Sequence, residues 1–558
     1  LAEQAAQQTQ AYFARAASTL SVREAEEVQH QWSRLISDGV SLLDATALEG
    51  RAGENDRAVF ELCESGRSVG AVLLRAWRRH TSSPDARARL EPLRLAAARA
   101  AREVARLAGQ SVDAADLESA LEARRAAEEQ LRAALARELG PLAAPSEVDA
   151  RSLAARLPAD SAAVAFWRVD RRALDAAPHA PRRAELLAFV LRADGRVARF
   201  ELGPLASVER AVEQWLALLR DNAPAAQERE AGAKLRALVI DPLLPALDGA
   251  RSLRLVLDEA LHLAPLDALP LDEQTRLGER FALLAAPAVE PGAERAPAAK
   301  RRLVAVGGLD YEHGPDGVDA PALGSSVAAG ARARWSRESF DPLWETQDEI
   351  DGVAALFARA GESAPPRENS PSQSGACVLL TERDATKSAL IAAVASATHV
   401  HIATHGFFAR QSEQDPQERA ALAQRAPLTL CGLALSGAND EAFGAHEGLV
   451  TADELAQLDL AHCELVVLSA CDTNVGSSAS GQGVASFQKA LHAAGAQCVL
   501  TSLWKVDDSA ARELMLEFYA GLWSEHLTPP QALTRAKNKL RERRAPPRDW
   551  AGWTLSSL

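Results

Sequence analysis

The most informative absences in this sequence concern membranes and export. A membrane-spanning helix requires an apolar run of about 18 residues, and no run in this sequence is that long. The first ten residues, LAEQAAQQTQ, lack the basic start and the apolar stretch of a signal peptide. The six cysteines include no CxxC pair and follow no regular spacing, so we expect reduced thiols. These absences predict a cytoplasmic protein that makes no membrane contact.

Positive charge and methionine are also scarce. The chain has 62 basic against 76 acidic residues and a net charge of −14. A general nucleic-acid binder needs a basic face for phosphate contacts, so we expect no direct binding of nucleic acid. The chain starts at Leu1 and its one methionine is Met515, which indicates a processed product or a piece of a longer protein.

At 558 residues the chain is too long for a single hydrophobic core, and two to four domains are expected. We predict an α-helical region at 1–145, either a bundle or the end of a helical repeat array. Its apolar stripes predict one helix from 86 to 107 and a second from about 111 to 139. The pattern then changes, and we divide the rest into 146–300 and 301–558.

Strands and helices alternate after residue 145, which indicates an α/β fold. Continuous apolar runs such as LVVLSA favour strands that are covered on both faces of a largely parallel sheet flanked by helices. The predicted strands are 162–169, 185–192, 196–202, 252–258, 301–310, 398–405, 428–437, 463–471 and 496–504. The predicted helices are 207–221, 225–240, 348–359, 384–395, 451–457, 483–494 and 508–523.

Reactive side chains stand at the ends of two of these strands. THVHIATH ends on His405, which Gly406 follows, and LVVLSAC ends on Cys471. The carboxyl ends of parallel strands emerge at one edge of the sheet, so we expect the two side chains to lie together. The imidazole is able to deprotonate the thiol and to protonate a leaving amine. The N–H groups of Gly406 and Cys471 are candidate oxyanion donors.

Two less specific interpretations compete with this one. A buried cysteine at a strand end is more often structural than catalytic. The run His399, His401, His405 also resembles part of a zinc site, but it contains no acidic residue and no second histidine cluster matches it. We assign His399 and His401 to structure beneath the site and expect no metal and no cofactor.

Several motifs along this part of the chain resemble the CHAT family, the caspase-like peptidases that are often attached to tetratricopeptide repeats, in the larger group that holds caspases and separases. The matching stretches are ARSLAARLPADSAAVAFW, LVLDEALHLAPLDALP, HIATHGFF, HEGLVTADELAQLDL, LVVLSACDTNVG, GQGVASFQKALHAAGAQCVLTSLWKVDD and LEFYAGLW. The sequence departs from the common family pattern at Gln482, Lys505, Asp258 and Glu259.

This resemblance covers residues from about 146 to the C-terminus and implies a cysteine endopeptidase that cleaves protein substrates. It implies that Cys471 is the nucleophile and His405 the general base. It further implies that 146–300 is a caspase-like subdomain without catalytic residues, packed beside a catalytic subdomain at 301–558. Peptidases of this group are commonly switched on by binding or cleavage, so we expect an activating protein or an upstream sensor domain.

The motif SLWKVDD places acidic residues just past the strand that follows Cys471. In the resembling separases an acidic residue in this neighbourhood receives an arginine, and a carboxylate pairs well with a guanidinium. We therefore predict cleavage after arginine, with Asp507 and Asp508 as the specificity pair. The alternative is that one of the two aspartates caps the following helix and the other binds the arginine. Trp504 and Asp472 are assigned to the substrate-binding wall.

Arg367 lies in a Pro- and Ser-rich stretch and is a candidate self-cleavage site. His446 and Glu447 precede a helix whose Thr451 and Glu454 have capping-box spacing, so we expect them to be structural. The alternative to a peptidase is a catalytically silent scaffold of the same fold that serves protein–protein contacts.

Overall fold

The structure is a computed structural model. It describes residues 35–45, 53–65, a few positions between 89 and 100, 114–139, 148–172, 181–289, 300–315, 339–360, 376–408, 431–440, 443, 447–456, 458–471 and 482–558. At some of these positions, Cys471 among them, only the backbone is described. Three residues singled out in the sequence, Arg367, His446 and Asp472, lie outside the described residues.

The described parts of the N-terminal region are helical, as predicted. Its described helices are α1 (35–45), α2 (53–65) and α3 (Ala114–Leu139), and further helical positions occur between 89 and 100. The predicted helix at 86–107 lies mainly outside the described residues. Helices α1 and α2 bury apolar side chains such as Val40 and Phe60 against one face of the sheet, where Phe60 meets Phe189 edge-on at 5.7 Å.

Strands and helices alternate through the rest of the chain. Up to residue 289 they are α4 (Ala150–Ala154), β1 (Ser161–Arg171), β2 (Arg183–Arg192), β3 (Val197–Pro204), α5 (Leu205–Arg220), α6 (Ala225–Val239), β4 (Ser252–Val256), α7 (Leu277–Arg280) and β5 (Ala282–Ala285). Short 3-10 helices at Asp241–Leu247, Glu259–Leu263 and Leu266–Ala268 connect them.

The elements after residue 300 carry the predicted site. They are β6 (Leu303–Leu309), α8 (Glu345–Arg359), β7 (Cys377–Glu382), α9 (Lys387–Val394), β8 (His399–Phe408), β9 (Cys431–Ala434), β10 (Leu449–Thr451), α10 (Ala452–Leu455), β11 (Leu465–Cys471), α11 (Gln482–Ala494), β12 (Cys498–Ser502), α12 (Asp508–Trp523), α13 (Pro529–Glu542), α14 (Pro547–Trp550) and β13 (Trp553–Ser557). The predicted capping box of Thr451 and Glu454 is present at the start of α10.

All thirteen of these strands belong to one sheet. Its main path runs β10-β9-β8-β11-β12-β13-β5-β4-β1-β2-β3, and β6 and β7 extend it from β8. The centre is largely parallel, with antiparallel pairs at β1–β2–β3, at β8–β9–β10 and at β12–β13. Helices cover both faces. The predicted α/β class, a largely parallel sheet flanked by helices and preceded by a helical region, is therefore confirmed.

Alternate residues of the central strands belong to different cores, as a sheet with both faces buried requires. In β11, Leu465 and Val467 pack with α8, α12 and α13, whereas Val466 and Leu468 pack with α9 and α11. We call the side of the sheet that faces α8 and α12 the α8/α12 face. The core on this face runs without a break through both halves of the sheet.

The two halves meet through β13, which the sequence did not indicate as a strand. It pairs antiparallel with β12 and parallel with β5. An ion pair between buried Lys537 and the partly buried Asp267 stabilises this junction. Nζ of Lys537 lies 2.5 Å from Oδ2 of Asp267 and also donates to the carbonyl of Trp553 at 2.7 Å. Burial lowers the pKa of Lys537, and Asp267 opposes that effect.

We expect Lys537→Met to destabilise the fold by about 3–5 kcal/mol, because it leaves a partly buried carboxylate and a strand carbonyl without their cation. Chemical denaturation monitored by circular dichroism measures the change in unfolding free energy. The matched control is Lys539→Met on the same helix, whose side chain is 42% exposed and contacts Glu542. The control should change stability by less than about 0.5 kcal/mol, and equal effects from the two variants would contradict the role of the junction.

Candidate active site

The site forms where β8 and β11 end side by side. The two strands are parallel neighbours over their whole shared length, from His399 opposite Leu465 to His405 opposite Cys471. Since alternate residues share a face, positions 405 and 471 lie on the α8/α12 face together with Ala403 and Val467. The backbone therefore brings these two positions directly together.

The imidazole of His405 is fixed by a backbone carbonyl. Its Nε2 lies 2.7 Å from the carbonyl oxygen of Asp341. A carbonyl oxygen only accepts hydrogen bonds, so Nε2 must carry the proton, and Nδ1 is left with its lone pair. Tyr311 and Phe340 flank the ring at 5.2 and 5.6 Å between centroids. The arrangement selects the tautomer in which Nδ1 is the basic atom.

A short segment before α8 supplies that carbonyl. Phe340 donates its N–H to Oδ1 of Asn439 at 2.9 Å, and Nδ2 of Asn439 donates to the carbonyl of Phe340 at 3.0 Å. This reciprocal pair holds the backbone immediately before Asp341. This segment was not predicted from the sequence, because a backbone carbonyl leaves no signature in the residue types.

The electrostatic surroundings of His405 favour its neutral form. Burial lowers the pKa of His405, and the charge of Lys505 lowers it further. The hydrogen bond to Asp341 and the charges of Asp508 and Asp341 act in the opposite direction. The lowered pKa means that the imidazole is neutral at pH 7 and is able to accept a proton.

The end of β11 is also held by its neighbours. Ser502, the last residue of β12, donates its hydroxyl to the carbonyl of Ala470 at 3.1 Å. Gly406, the predicted oxyanion donor after His405, continues β8 and pairs in register with Leu433 of β9. Strand β8 thus pairs with β11 up to His405 and with β9 from Gly406 onward, so Gly406 is the first residue of the second pairing.

A narrow cleft opens beside these strand ends between α8 and α12. Its free volume is about 10 Å³, which is room for about one water molecule. The side chains that matter for its chemistry are those of Thr346, Glu349, Ser469, Ser502, Asp508 and Trp553. Burial raises the pKa of Asp508, and the charge of Asp507 raises it further, whereas Lys505 and His405 oppose the shift. Burial and the neighbouring negative charge make the ionised form of Asp508 unfavourable, so a bound cation would stabilise it.

The two aspartates of the SLWKVDD motif have different surroundings. Asp507 is the N-cap of α12, and its Oδ1 accepts from the N–H groups of Ser509 and Ala510 at 3.1 and 3.3 Å. Asp508 is the one that lines the cleft. Trp504, which was predicted to form part of the substrate-binding wall, does not line the cleft. Its buried indole donates to the carbonyl of Arg548 at 2.7 Å, and the tryptophan that lines the cleft is Trp553.

The other two histidines of β8 lie inside the protein. His399 contacts the hydroxyl of Thr398 at 2.9 Å, and burial lowers its pKa to about 4. His401 is completely buried and lies 2.9 Å from Glu349 and 3.3 Å from the hydroxyl of Tyr519. Both therefore have protein partners. Glu447 accepts hydrogen bonds from the N–H and hydroxyl of Ser388 in the first turn of α9, as a structural residue does.

The fold and the paired strand ends define an α/β protein with a histidine and a cysteine at one sheet edge. The CHAT domain family matches residues 229–557, which is more than half of the chain, and the chain belongs to this family. None of the helices among the described residues is long and apolar enough to cross a membrane.

Two curated relatives match a shorter stretch. Tetratricopeptide repeat protein 28 of Mus musculus is 36% identical over 111 residues, and that of Homo sapiens is 35% identical over 111 residues. The stretch is 20% of this chain but spans only 4% of the length of either relative.

Among solved structures the chain is similar to the Saccharomyces cerevisiae separase–securin complex, with 8% identity and a TM-score of 0.43 over 96% of this chain and 37% of that chain. It is also similar to the Arg-specific cysteine proteinase gingipain R, with 9% identity and a TM-score of 0.33 over 63% of this chain and 74% of that one.

We expect His405 to titrate below the pH range of an ordinary histidine, and we expect Lys505→Gln to raise its pKa because a cation that disfavours the imidazolium is removed. Carbon-13 NMR of histidine-labelled protein measures both titrations, and His405→Gln assigns the resonance. A wild-type pKa at or above that of a free histidine, or no change in the variant, would show that the burial and charge argument is wrong.

Proposed function

We propose that the protein is a cysteine endopeptidase with Cys471 as nucleophile and His405 as general base. The observation that carries this proposal is the register of β8 and β11, which sets the two positions side by side at the sheet edge. The tautomer of His405 supports it, because the lone pair on Nδ1 is available for a thiol proton. Membership of the CHAT family supports it as well, since the family resemblance implies a caspase-like peptidase.

The chemistry follows from these groups. Nδ1 of His405 takes the proton of the Cys471 thiol, and the thiolate attacks the scissile carbonyl carbon. The N–H groups of Gly406 and Cys471 stabilise the oxyanion of the tetrahedral intermediate. The imidazolium then returns its proton to the leaving amine, which gives a thioester. Water, deprotonated by His405, hydrolyses the thioester and regenerates the thiol.

The Asp341 carbonyl contributes to both proton transfers. It holds the ring so that Nδ1 keeps one orientation, and it stabilises the imidazolium through the hydrogen bond from Nε2, which is the direction of its effect on the pKa of His405. Because the proton on Nε2 never leaves, the same atom of the ring serves as base and then as acid.

The cleft supports a preference for arginine before the cut. Its carboxylate Asp508 is half-buried and carries a raised pKa, so a guanidinium that binds there relieves an unfavourable charge. Asp507 is already engaged as the helix cap, so we assign specificity to Asp508 and capping to Asp507. Asp472 remains a proposed part of the pocket wall.

The surroundings in which this activity operates are also part of the proposal. No disulfide joins the cysteine side chains that the structure describes, and we propose a reducing, cytoplasmic setting. The substrate is a protein, and the helical region at 1–145 is a candidate link to an activating partner or sensor. Arg367 remains a candidate self-cleavage site.

We expect new protein N-termini to appear in a proteome treated with the wild-type protein and to be absent with Cys471→Ala. His405→Ala should lower the cleavage rate by about three orders of magnitude or more, because catalytic residues act as a unit. A survey of N-terminal peptides by mass spectrometry measures both effects.

Thiol labelling covers the case in which no cuts appear. An arginyl chloromethyl ketone should modify Cys471 far faster than the buried Cys377 and Cys431, whose pKa values burial raises to about 11 and about 12. Labelling of Cys471 without cleavage indicates a latent enzyme. Labelling of Cys471 no faster than that of the buried thiols would refute the peptidase and favour a scaffold.

For specificity, we expect Asp508→Asn to lower kcat/KM for arginyl substrates by a factor of about 10–100, because one hydrogen-bonded charge partner is lost. The matched control is Asp507→Asn, which keeps a good N-cap and should leave the arginine preference unchanged. Peptide substrates with arginine or methionine before the cut measure the preference. If the two variants behave alike, the division of roles between the two aspartates is wrong.

A further inference from the structure

Asn439 joins three segments at the edge of the sheet that carries His405. It lies in the loop after β9 and is only 8% exposed. Its backbone N–H donates to the carbonyl of Tyr311, in the loop after β6, at 2.7 Å. Its side-chain Nδ2 donates to Oε1 of Glu312 in that same loop at 2.6 Å. The side chain also makes the reciprocal pair with the backbone of Phe340, so it connects both loops to the segment before α8.

These contacts depend on the amide group and not on the shape of the side chain. A backbone carbonyl and an ionised carboxylate only accept hydrogen bonds, so both must face the NH2 group, whereas the N–H of Phe340 must face the oxygen. All three side-chain contacts therefore agree on one orientation of the amide, and both of its N–H hydrogens are used. Leucine has nearly the same size and offers neither a donor nor an acceptor. The variant Asn439→Leu thus removes the contacts and keeps the volume.

The two contacts with Phe340 determine where the neighbouring carbonyl lies. The N–H and the carbonyl of Phe340 belong to two successive planar peptide groups, and the second of these groups ends at the α-carbon of Asp341. Since Asn439 holds both groups, it fixes that α-carbon relative to the loop after β9. The carbonyl of Asp341 in turn lies 2.7 Å from Nε2 of His405. The amide therefore controls the acceptor of the imidazole from one residue away.

The aromatic side chains around the imidazole are placed by the same contacts. Phe340, whose backbone Asn439 holds, packs against the ring of His405 at 5.6 Å between centroids. Tyr311, whose carbonyl accepts from Asn439, packs against that ring at 5.2 Å. The hydroxyl of Tyr311 also lies 2.8 Å from that of Thr404, the residue before His405. Asn439 thus orders both the hydrogen-bond acceptor of the imidazole and two rings that pack against it.

We propose that Asn439 is a positioning residue for the general base: it holds the Asp341 carbonyl on Nε2 of His405 and so keeps Nδ1 free to take a proton. The inference rests on the proposed function, because it takes His405 as the base. Asn439 acts through the backbone of Phe340 and not through the substrate. Without its amide the carbonyl is no longer held against the ring, and the imidazole exchanges between orientations and tautomers. A tautomer with its proton on Nδ1 does not accept the thiol proton there.

The alternative is that Asn439 only stabilises the loop after β9. A purely structural residue lowers the stability of the protein and leaves the folded molecules fully active, whereas a positioning residue lowers kcat in the folded protein. Ser436 in the same loop offers a matched control, since it is fully buried and its hydroxyl donates to the carbonyl of Glu382. Ser436→Ala removes a buried hydrogen bond from this loop and leaves the pair with Phe340 in place.

The first measurement follows the Nε2 proton of His405 by NMR of protein labelled with nitrogen-15 histidine, and it requires no activity. His405→Gln assigns the resonance. We expect the proton to exchange slowly with water in the wild-type protein and in Ser436→Ala. In Asn439→Leu it should exchange about tenfold faster or more, because its hydrogen bond is weakened. Equal exchange in the wild-type protein and Asn439→Leu would overturn the proposal.

Asn439→Leu should also lower the pKa of His405 in the same spectra. The hydrogen bond to the Asp341 carbonyl stabilises the imidazolium and raises that pKa, so its loss acts downward. The charges of Lys505 and Asp508, which also act on the imidazole, are unchanged in the variant. A pKa that stays at the wild-type value would contradict the link between Asn439 and the ring.

Kinetics with a peptide that the wild-type protein cleaves tests the catalytic part. Asn439→Leu should lower kcat by about 10–100-fold, because misplacement of a catalytic group by about 1 Å has an effect of this size. KM should change by less than about twofold, since no substrate contact is lost, and Ser436→Ala should keep the wild-type kcat. Thermal unfolding confirms that each variant is folded, and Asn439→Ser replaces Asn439→Leu if the latter does not fold. Equal losses of kcat in the Asn439 and Ser436 variants would show a structural role only.

The outcomes separate this inference from the peptidase proposal. Slow exchange of the Nε2 proton that depends on Asn439, in a protein without Cys471-dependent cleavage, would keep the positioning of His405 and count against the peptidase. Cys471-dependent cleavage that Asn439→Leu leaves unchanged, with an Nε2 proton that also exchanges as in the wild-type protein, would keep the peptidase and reject the positioning role.

Discussion

The site depends above all on the in-register parallel pairing of β8 and β11. A slip of one residue would move either position 405 or position 471 to the opposite face of the sheet, away from α8 and α12. The apolar residues that alternate between the two cores resist such a slip, because every side chain of the slipped strand would then change core. The packing inside the sheet thus fixes the side-by-side positions of residues 405 and 471 at its edge.

Much of this arrangement was predictable from the sequence. The long apolar runs and their spacing gave the α/β class and the approximate positions of β1–β4, β6, β8, β9, β11 and β12. Strands β5, β7, β10 and β13 were missed. ALLA and LVT are very short, CVLLTE follows a Pro- and Ser-rich stretch, and WTLSS lacks an apolar run. The side-by-side placement of positions 405 and 471 was predictable because each stands at the end of an apolar run in neighbouring parallel strands.

The surroundings of these residues were much harder to predict. The partner of the His405 ring is a backbone carbonyl, which any residue type provides. The position of Glu349 had a weak signal: it lies on the same stripe of α8 as Ile350 and Val353, so an acid stands where apolar spacing predicts burial. Its contact with His401 joins elements that are far apart in the chain, and residue patterns alone do not determine such contacts.

The position of β13 in the sheet determines how the two halves of the sheet are joined. This strand lies between β12 and β5, yet it comes later in the chain than every other strand. Strands β12 and β5 pair with β13 and not with each other, so the two halves of the sheet become continuous only when residues 553–557 are in place. Trp553, the first residue of this strand, also lines the cleft. The same short strand thus both closes the sheet and completes the lining of the cleft between α8 and α12.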